Sequence, residues 1–283
     1  MNASELAAEH GLHRVGARPP LGTYLKQTWA RRDFAAQLAK SRIKAANQAN
    51  RLGRVWEVLK PTLNALVYGF IFGVIQASSS RGPNYAAFVV IGVFLFEFFA
   101  SSMSQGAKSI TGNRSLVQSL NFPRMTLPVS VVMQQLYTLG PMILVMCLYV
   151  WILGEPPTWS WFLLVPLLVI YTCFNLGVAL IFARLTVHLR DLTQLLPFIT
   201  RLLMYTSGVL FMVDKIFAGH PWVERLYNFH PVYLVIEIAR NSLMHGHPIQ
   251  GIHWLTLSII SVVVLVFGVV FFWKAEERYG RVS

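Results

Sequence analysis

KSITGNRSLVQSLNFPRMTLP, residues Lys108–Pro128, is a polar and basic segment with a long apolar run on either side. Within it Gly112 marks a turn, Ser115–Leu120 is long enough for one or two helical turns, and Pro123 interrupts helix. The backbone groups of such a segment would be left unsatisfied in lipid. The segment is therefore predicted to stand in water at the end of two membrane spans, as a short basic knob that a partner protein can contact.

The composition predicts an integral membrane protein. The chain has 283 residues, of which 55% are hydrophobic and 13% are charged, and its mean hydropathy is +0.52. Soluble domains carry about 25% charged residues. The net charge of +12 is compatible with nucleic acid binding, but the basic residues cluster beside apolar runs, as expected for cytosolic loops of a membrane protein. No nucleic acid partner is predicted.

Six apolar blocks follow the N-terminal region, and each can supply the roughly 20 residues that a helix needs to cross about 30 Å of hydrocarbon. They predict an all-α membrane domain of six transmembrane helices. The very short connection at residues 154–158 predicts a tight hairpin between the third and fourth spans. The six blocks are Val55–Gln76, Tyr85–Gln105, Leu127–Leu153, Trp159–Ala183, Leu192–Val213 and Ile252–Trp273.

The distribution of basic residues predicts the orientation. Most of the 24 Lys and Arg residues fall in the N-terminal tail, the knob, the connection after the fourth block and the C-terminal tail. The opposite side carries only Arg81, Lys215, Arg225 and Arg240. Both termini are therefore predicted to be cytosolic, in a multi-pass protein of the cell membrane.

The N-terminal region, residues 1–53, is predicted to be a cytosolic tail followed by a basic amphipathic helix over Asp33–Leu52. Such a helix favours the membrane interface, and a solvated charged helix is the alternative. Its apolar face comprises Phe34, Leu38, Ala45, Ala49 and Leu52. Residues 54–283 are predicted to form the transmembrane domain, with a water-exposed loop at 106–126.

The outer segment, residues 214–250, is predicted to form two short helices. Pro221 opens the first, His230-Pro231 breaks it, and Val232–Met244 forms the second. Glu237 and Arg240 are spaced for an i,i+3 pair. A helical hairpin that re-enters the membrane and a helix pair resting on its surface are both compatible with this pattern.

Polar side chains at membrane depth are expensive and usually face a bundle interior or a wet cavity, so they are candidates for a substrate channel. Glu97 opens a polar stripe on the second span, Arg201 and Tyr205 lie on the fifth, and the first span repeats Lys60, Asn64, Tyr68 and Phe72. The alternatives are a hydrogen-bonded structural carboxyl for Glu97, an interfacial position for Arg201 and ordinary packing for the first-span stripe.

No catalytic chemistry is predicted for this chain. It has no G-x-x-x-x-G-K-[ST] phosphate loop, and no Ser/His/Asp order or HExxH motif supports an enzymatic site. The outer histidines lack the helical i,i+4 spacing or the nearby Cys of a metal site, so no metal is predicted. These histidines are His220, His230, His245, His247 and His253.

Four segments in order resemble the membrane subunit of ABC-2 type exporters, specifically the Wzm-like polysaccharide-export branch with teichoic-acid exporters as relatives. They are NRSLVQSLNFPRMTLP in the knob, VHLRDLTQLLPFI at the entry to the fifth span, YTSGVLF at its end, and FHPVYLVIEIAR in the outer segment. Two residues depart from that pattern: Gly208 stands where Pro is expected, and His230 where Asn is usual.

The resemblance implies the working parts of such an exporter. Two copies of the chain would form a passage for a lipid-linked polysaccharide such as O-antigen, teichoic acid or galactan, embedded in membrane lipid. Two copies of a separate ATPase would bind ATP and Mg²⁺, so this chain would hold no cofactor. The N-terminal helix would lie along the ATPase, and the outer helices Pro221–Met244 would close the exit.

The resemblance also implies roles for individual residues. The coupling segment would contact the ATPase through Arg114, Leu116, Leu120, Phe122 and Arg124, joined by Arg190 and Asp191 in the second cytosolic loop. The outer gate would comprise Trp222, Tyr227, His230, Pro231, Tyr233, Glu237 and Arg240. The channel candidates named above would line the route.

Three other functions remain open from the sequence. An ABC-2 subunit could export drugs or lipids. A secondary transporter could use Glu97 as a proton carrier, although such proteins usually show internal repeats that the two halves lack. A membrane-embedded transferase would need clustered catalytic carboxylates or histidines.

Overall fold

The computed structural model describes residues 19–48, 51–53, 55–70, 84–120, 122–217, 219–246 and 248–279, and these residues contain helices and no strand. Four helical segments are long and apolar enough to cross a membrane: Tyr85–Ala107, Thr126–Ile152, Trp159–His188 and Gly251–Trp273. They coincide with four of the six predicted spans. The all-α membrane class is thereby confirmed.

Thirteen α-helices are found among the described residues. In chain order they are α1 Leu21–Ala30, α2 Arg32–Gln48, α3 Val55–Phe70, α4 Tyr85–Ala107, α5 Arg114–Ser119, α6 Thr126–Ile152, α7 Leu164–His188, α8 Leu192–Thr206, α9 Val213–Ile216, α10 Pro221–Tyr227, α11 Pro231–Leu243, α12 Gly251–Trp273 and α13 Glu276–Tyr279. Short 3-10 turns precede α5 at Thr111–Asn113 and α7 at Trp159–Leu163. We call the end of the bundle that carries Lys108–Pro128 the knob end, and the opposite end the far end.

Helix α4 is the centre of the bundle. Sixteen of its 23 residues are buried, because α3, α6, α7, α8 and α11 all pack against it. Its near-continuous apolar sequence, rich in Phe and Val, suits a helix enclosed on most sides. The only face left partly open is the narrow one that carries Glu97.

Helices α7 and α12 pack tightly through a pair of glycines. An ideal Cβ on Gly268 would lie only 2.6 Å from the carbonyl oxygen of Gly177. Small residues allow the backbones of membrane helices to approach closely, which replaces the hydrophobic driving force that lipid cannot provide. This contact fixes the last span against the fourth.

The predicted first and fifth spans are shorter than expected within the described residues. Helix α3 has 16 residues, and residues 71–76 of the predicted span lie outside the described part of the chain. Helix α8 has 15 residues, or about 22 Å of helix, and it ends before Gly208, whose φ of +67° no right-handed helix accommodates. Six full-length spans therefore stay a prediction.

The N-terminal helix differs in detail from its prediction. Helix α2 spans Arg32–Gln48, and its buried side chains are Ala35, Ala39 and Ile43. These lie against α6, with Phe34 and Leu38 packed at the side. Tertiary contacts therefore rotate the buried face from the predicted one: Ala45 and Leu52 are exposed, and Ala49 lies outside the described residues.

Candidate functional site

The knob end presents a short exposed helix. In α5 the side chain of Arg114 is exposed and Leu116 is half-buried, while Leu120 just after the helix is exposed. Val117, on the inner side, is buried in a cluster of apolar side chains that includes Met125. The helix is thereby held to the bundle while its outer face, which carries Arg114, remains exposed.

The second half of the knob segment faces inward. Phe122 is buried and its ring lies 5.7 Å from that of Phe34 in α2. The Arg124 guanidinium lies 3.5 Å from the carboxylate of Glu276, and only 14% of the Arg124 side chain is exposed. Of the predicted coupling residues, Arg114 and Leu120 are thus accessible in this chain, whereas Phe122 and Arg124 form internal contacts.

The turn between α7 and α8 lies at the same end of the bundle. The hydroxyl of Thr186 donates a hydrogen bond to the carbonyl of Ala107, the last residue of α4. Arg190 and Asp191, in the turn, are exposed. The structure therefore brings both predicted coupling loops to one end of the molecule.

The open face of α4 is polar. Glu97 is half-buried and accepts a hydrogen bond of 3.1 Å from the hydroxyl of Ser101. Ser104 is half-buried, and Gln105 and Lys108 are exposed further along toward the knob end. The predicted polar stripe is thus a continuous surface of the folded chain.

Two further candidate helices flank α4. Lys60 and Asn64 are exposed on α3, and Arg201 and Tyr205 are exposed on α8. Both helices pack against α4. The side chain of Tyr68 and the whole of Phe72 lie outside the described part of the structure, so their predicted roles stay predictions.

The far end separates the predicted gate residues into two groups. Trp222 on α10 is exposed, whereas Tyr233 on α11 is buried. Tyr227 connects them, because its ring lies 5.1 Å from that of Tyr233 in an edge-on contact. Helix α11 itself is enclosed, with 11 of its 13 residues buried among the other helices.

Arg240 ties α11 to two other segments. Its guanidinium is 1% exposed and donates hydrogen bonds to the carbonyls of Phe88 (3.1 Å), Gly208 (3.0 Å) and Val209 (3.0 Å). Glu237 lies at 3.9 Å, at the predicted i,i+3 spacing. A buried guanidinium needs such partners because desolvation of an unpaired charge is costly. The residue predicted to gate the exit is therefore enclosed in this chain.

His230 and Gly208, which depart from the family pattern, have local roles in the structure. The Nδ1 of His230 accepts a hydrogen bond of 3.1 Å from the backbone N–H of Tyr233, so the imidazole caps α11 as an Asn side chain does. Gly208 adopts a left-handed conformation, and its carbonyl accepts from Arg240.

The far end also holds a buried carboxylate that the sequence did not reveal. Glu155 is 2% exposed, and it accepts hydrogen bonds from the backbone N–H of His245 (2.8 Å), its imidazole Nδ1 (2.7 Å) and the Asn84 amide. Burial acts to raise the pKa of Glu155, but these donors together lower it below its usual value. The connection after α6 is thereby attached to the end of α11.

A comparison with known protein families identifies the family of this chain. The family model described as ABC-2 type transporter matches residues 35–244. The chain belongs to the ABC-2 type transporter family. The match covers the knob segment, the polar faces of α3, α4 and α8, and the far-end helices.

Curated relatives span nearly the same length. An O-antigen export system permease protein RfbA from Klebsiella pneumoniae is 27% identical over 88% of this chain and 95% of its own. The RfbA of Myxococcus xanthus is 25% identical over 91% and 98% respectively. The polysialic acid transport protein KpsM of Escherichia coli is 27% identical over 80% of this chain and 87% of its own.

Sequence reasoning missed the contacts that this ABC-2 chain makes outside the matched region. Glu276 follows the last span and resembles any charged residue of a C-terminal tail. Tyr24 precedes the predicted N-terminal helix, and nothing in its neighbourhood signals burial. No local sequence signal links the knob segment to either residue, because the contacts join segments that are remote in the chain.

Proposed function

We propose that the chain is the membrane-spanning subunit of an ATP-driven exporter that moves a lipid-linked polysaccharide from the cytosol to the outer face of the cell membrane. The observation that carries the proposal is the continuous polar face of α4, together with the exposed polar residues of α3 and α8, two helices that pack against α4. Carboxylate and guanidinium groups at membrane depth require a wet or protein-lined environment.

A single chain leaves this face uncovered. Asn64 and Arg201 are exposed and Glu97 is half-buried, and contact of these groups with lipid would be unfavourable. A second copy opposing the first would enclose them in a route, which supports the homodimer. Such a route suits a long polysaccharide. Its carboxylate and aromatic groups can contact sugar hydroxyls and sugar faces along the route, and no fixed pocket is required.

Energy would come from a separate ATPase at the knob end, the cytosolic end. The exposed Arg114 of α5 and the exposed Arg190-Asp191 turn support such a contact, because both lie at one end of the bundle. Two of the relatives given above are named as export permeases for O-antigen and the third as a transport protein for polysialic acid, which supports export of a polysaccharide. The ATPase, two copies per dimer, would bind ATP and Mg²⁺, while this chain would bind neither.

The far-end helices would form the exit. Exposed Trp222 on α10 stands beside the buried α11, so the movable part of a gate would be α10 and the aromatic cluster around Tyr227. Helix α11 would be its fixed frame.

The test is purification of the chain from its host in a mild detergent, with the surface polysaccharide measured in a deletion strain. We expect an ATPase to co-purify and one surface polysaccharide to disappear when the gene is deleted. Purification of the chain without any nucleotide-hydrolysing partner, or an unchanged cell surface, would contradict the proposal.

A proton-coupled transporter is the second candidate, because Glu97 is a carboxylic acid at membrane depth with a single hydroxyl partner among the contacts described. In inverted vesicles, export that continues without ATP and stops when the proton gradient is collapsed would favour that function. We expect the opposite dependence.

A further inference from the structure

Three segments that are remote in the sequence meet at one buried carboxylate at the knob end. Glu276, the first residue of α13, is 3% exposed. Its Oε2 accepts a hydrogen bond of 2.6 Å from the Tyr24 hydroxyl of α1. Its Oε1 accepts from the backbone N–H of Arg124 at 3.0 Å and from the guanidinium at 3.5 Å.

The Tyr24 hydroxyl completes the cluster. It donates to Glu276 and accepts a hydrogen bond of 3.1 Å from the backbone N–H of Met125. Arg124 and Met125 are the two residues that immediately precede α6, and α6 has no side-chain cap of its own. The cluster therefore binds N–H groups at the start of the third span, where a negative charge is also favoured by the helix dipole.

Apolar side chains around the Glu276 contacts pack the same segments together. Tyr24, Phe122, Met125 and Tyr279 belong to one buried cluster at the knob end, and the Tyr279 hydroxyl donates to the carbonyl of Phe272 at the end of α12. Burial raises the pKa of Glu276, opposed by the hydrogen bonds from Arg124 and Tyr24. Loss of either donor leaves a buried carboxyl group with fewer partners, which is costly.

The position of this cluster affects how movement passes from α5 to α6. A force applied to the exposed face of α5 reaches α6 along residues 122–125, the arm that joins them, and through the apolar cluster that contains Val117 and Met125. An arm held by Glu276 and Tyr24 transmits a displacement to α6, whereas an arm without these contacts can shift relative to α6 and absorb it.

We propose that Glu276, together with Tyr24, is a positioning residue for energy coupling: it clamps the Phe122–Met125 arm so that movement of α5 is transferred to the third span. The inference rests on the proposed function, in which α5 receives its movement from the ATPase. It adds that the two ends of the chain, α1 and α13, determine how efficiently that movement is used.

The experiment uses the full complex of the chain with its co-purified ATPase. ATP hydrolysis is measured in lipid nanodiscs, and export is measured as restoration of the surface polysaccharide that deletion of the gene removes. The variants are Glu276→Ala, Glu276→Gln and Tyr24→Phe. Glu277→Gln is the matched control, because Glu277 is the adjacent carboxylate and is exposed.

We expect Glu276→Ala to keep complex formation and ATP hydrolysis near the wild-type level while export falls by about tenfold, as expected when a hydrogen bond to a charged group is lost from the coupled state. Glu276→Gln retains one acceptor oxygen and should restore part of the export. Tyr24→Phe should also lower export while ATP hydrolysis stays near the wild-type level, but by a smaller factor. Glu277→Gln should behave as wild type.

Two results would overturn the proposal. One is wild-type export by Glu276→Ala. The other is a parallel loss of assembly, hydrolysis and melting temperature in Glu276→Ala while Tyr24→Phe exports normally, which would assign Glu276 to folding alone. Failure of the wild-type chain to pair with an ATPase would instead contradict the proposed function, so the two failures are distinguishable.

Discussion

Helices α8 and α11 follow each other closely in the chain and have opposite environments. Leu196 is the one buried residue of α8, whereas 11 of the 13 residues of α11 are buried. Each helix carries an arginine. Arg240 of α11 is enclosed and hydrogen-bonded to three carbonyls, while Arg201 of α8 is exposed.

The difference teaches which parts of the fold are complete in one chain. The guanidinium of Arg240 is hydrogen-bonded within the molecule, so this part of α11 holds the fold together; the gate role of α11 stays a prediction. The polar groups of α8 face outward and require water, substrate or a second copy. Substitutions that affect stability and substitutions that affect transport should therefore separate between the two helices.

The largest expected effect is on stability at Arg240. Arg240→Ala leaves the carbonyls of Phe88, Gly208 and Val209 without their donor, and loss of one side of a buried charged network costs about 3–5 kcal/mol. We expect a large drop in the melting temperature and in the yield of folded protein in detergent, measured by size-exclusion chromatography. Arg201→Ala is the matched control and should leave both unchanged while lowering export; equal effects of the two substitutions would contradict the comparison.

The next effect is expected at the junction between the two helices. Gly208 has φ +67° and an added Cβ would lie 2.9 Å from Cδ2 of Tyr233. Gly208→Ala should destabilise the chain by about 1–3 kcal/mol, from the strained backbone and the contact. Gly112→Ala is the control in thermal unfolding, since nothing lies within 4 Å of its added Cβ. A Gly208→Ala chain as stable as wild type would show that this turn is not fixed against α11.

A smaller effect tests the cap of α11. His230→Ala removes the acceptor for the Tyr233 N–H and should cost about 1 kcal/mol, as for other N-cap losses. His230→Asn, which restores the residue usual in the family pattern, should return the stability to near wild type. The melting temperatures of the three proteins decide the outcome, and a destabilised His230→Asn chain would indicate that the imidazole has a packing role instead.

The smallest effect concerns pH at the far end. Because the pKa of Glu155 is lowered from its usual value of 4.5, its stabilising contribution is present above that value and is lost as the pH falls through the lower value of the folded state. Wild type should therefore melt higher than Glu155→Gln near neutral pH, and the difference should shrink as the pH falls below 4.5 and through the lowered pKa of the folded state. A difference that persists at acid pH would show that the carboxylate charge is not what holds His245 and Asn84.

The sequence predicted the parts of the site that depend on local pattern. The stripe from Glu97 to Lys108 follows from helical periodicity, and the Glu237–Arg240 spacing follows from the same period. The cap formed by His230 and the left-handed Gly208 could not be foreseen, although both positions were noted as departures from the family pattern. Their roles depend on Tyr233 and Arg240, which approach them only after α11 has packed.

The amino-acid sequence by itself determined that this is a helical membrane protein, where its long apolar helices lie, and that a basic knob separates the second from the third. Hydropathy and helix periodicity are properties of neighbouring residues, so they can be read without a fold. Only the tertiary structure decided that Arg240 is enclosed while Arg201 is open, and that Arg124 meets Glu276. Arg240 and Gly208 are 32 positions apart, and Arg124 and Glu276 are 152 positions apart. Only the packing of whole helices brings such pairs together.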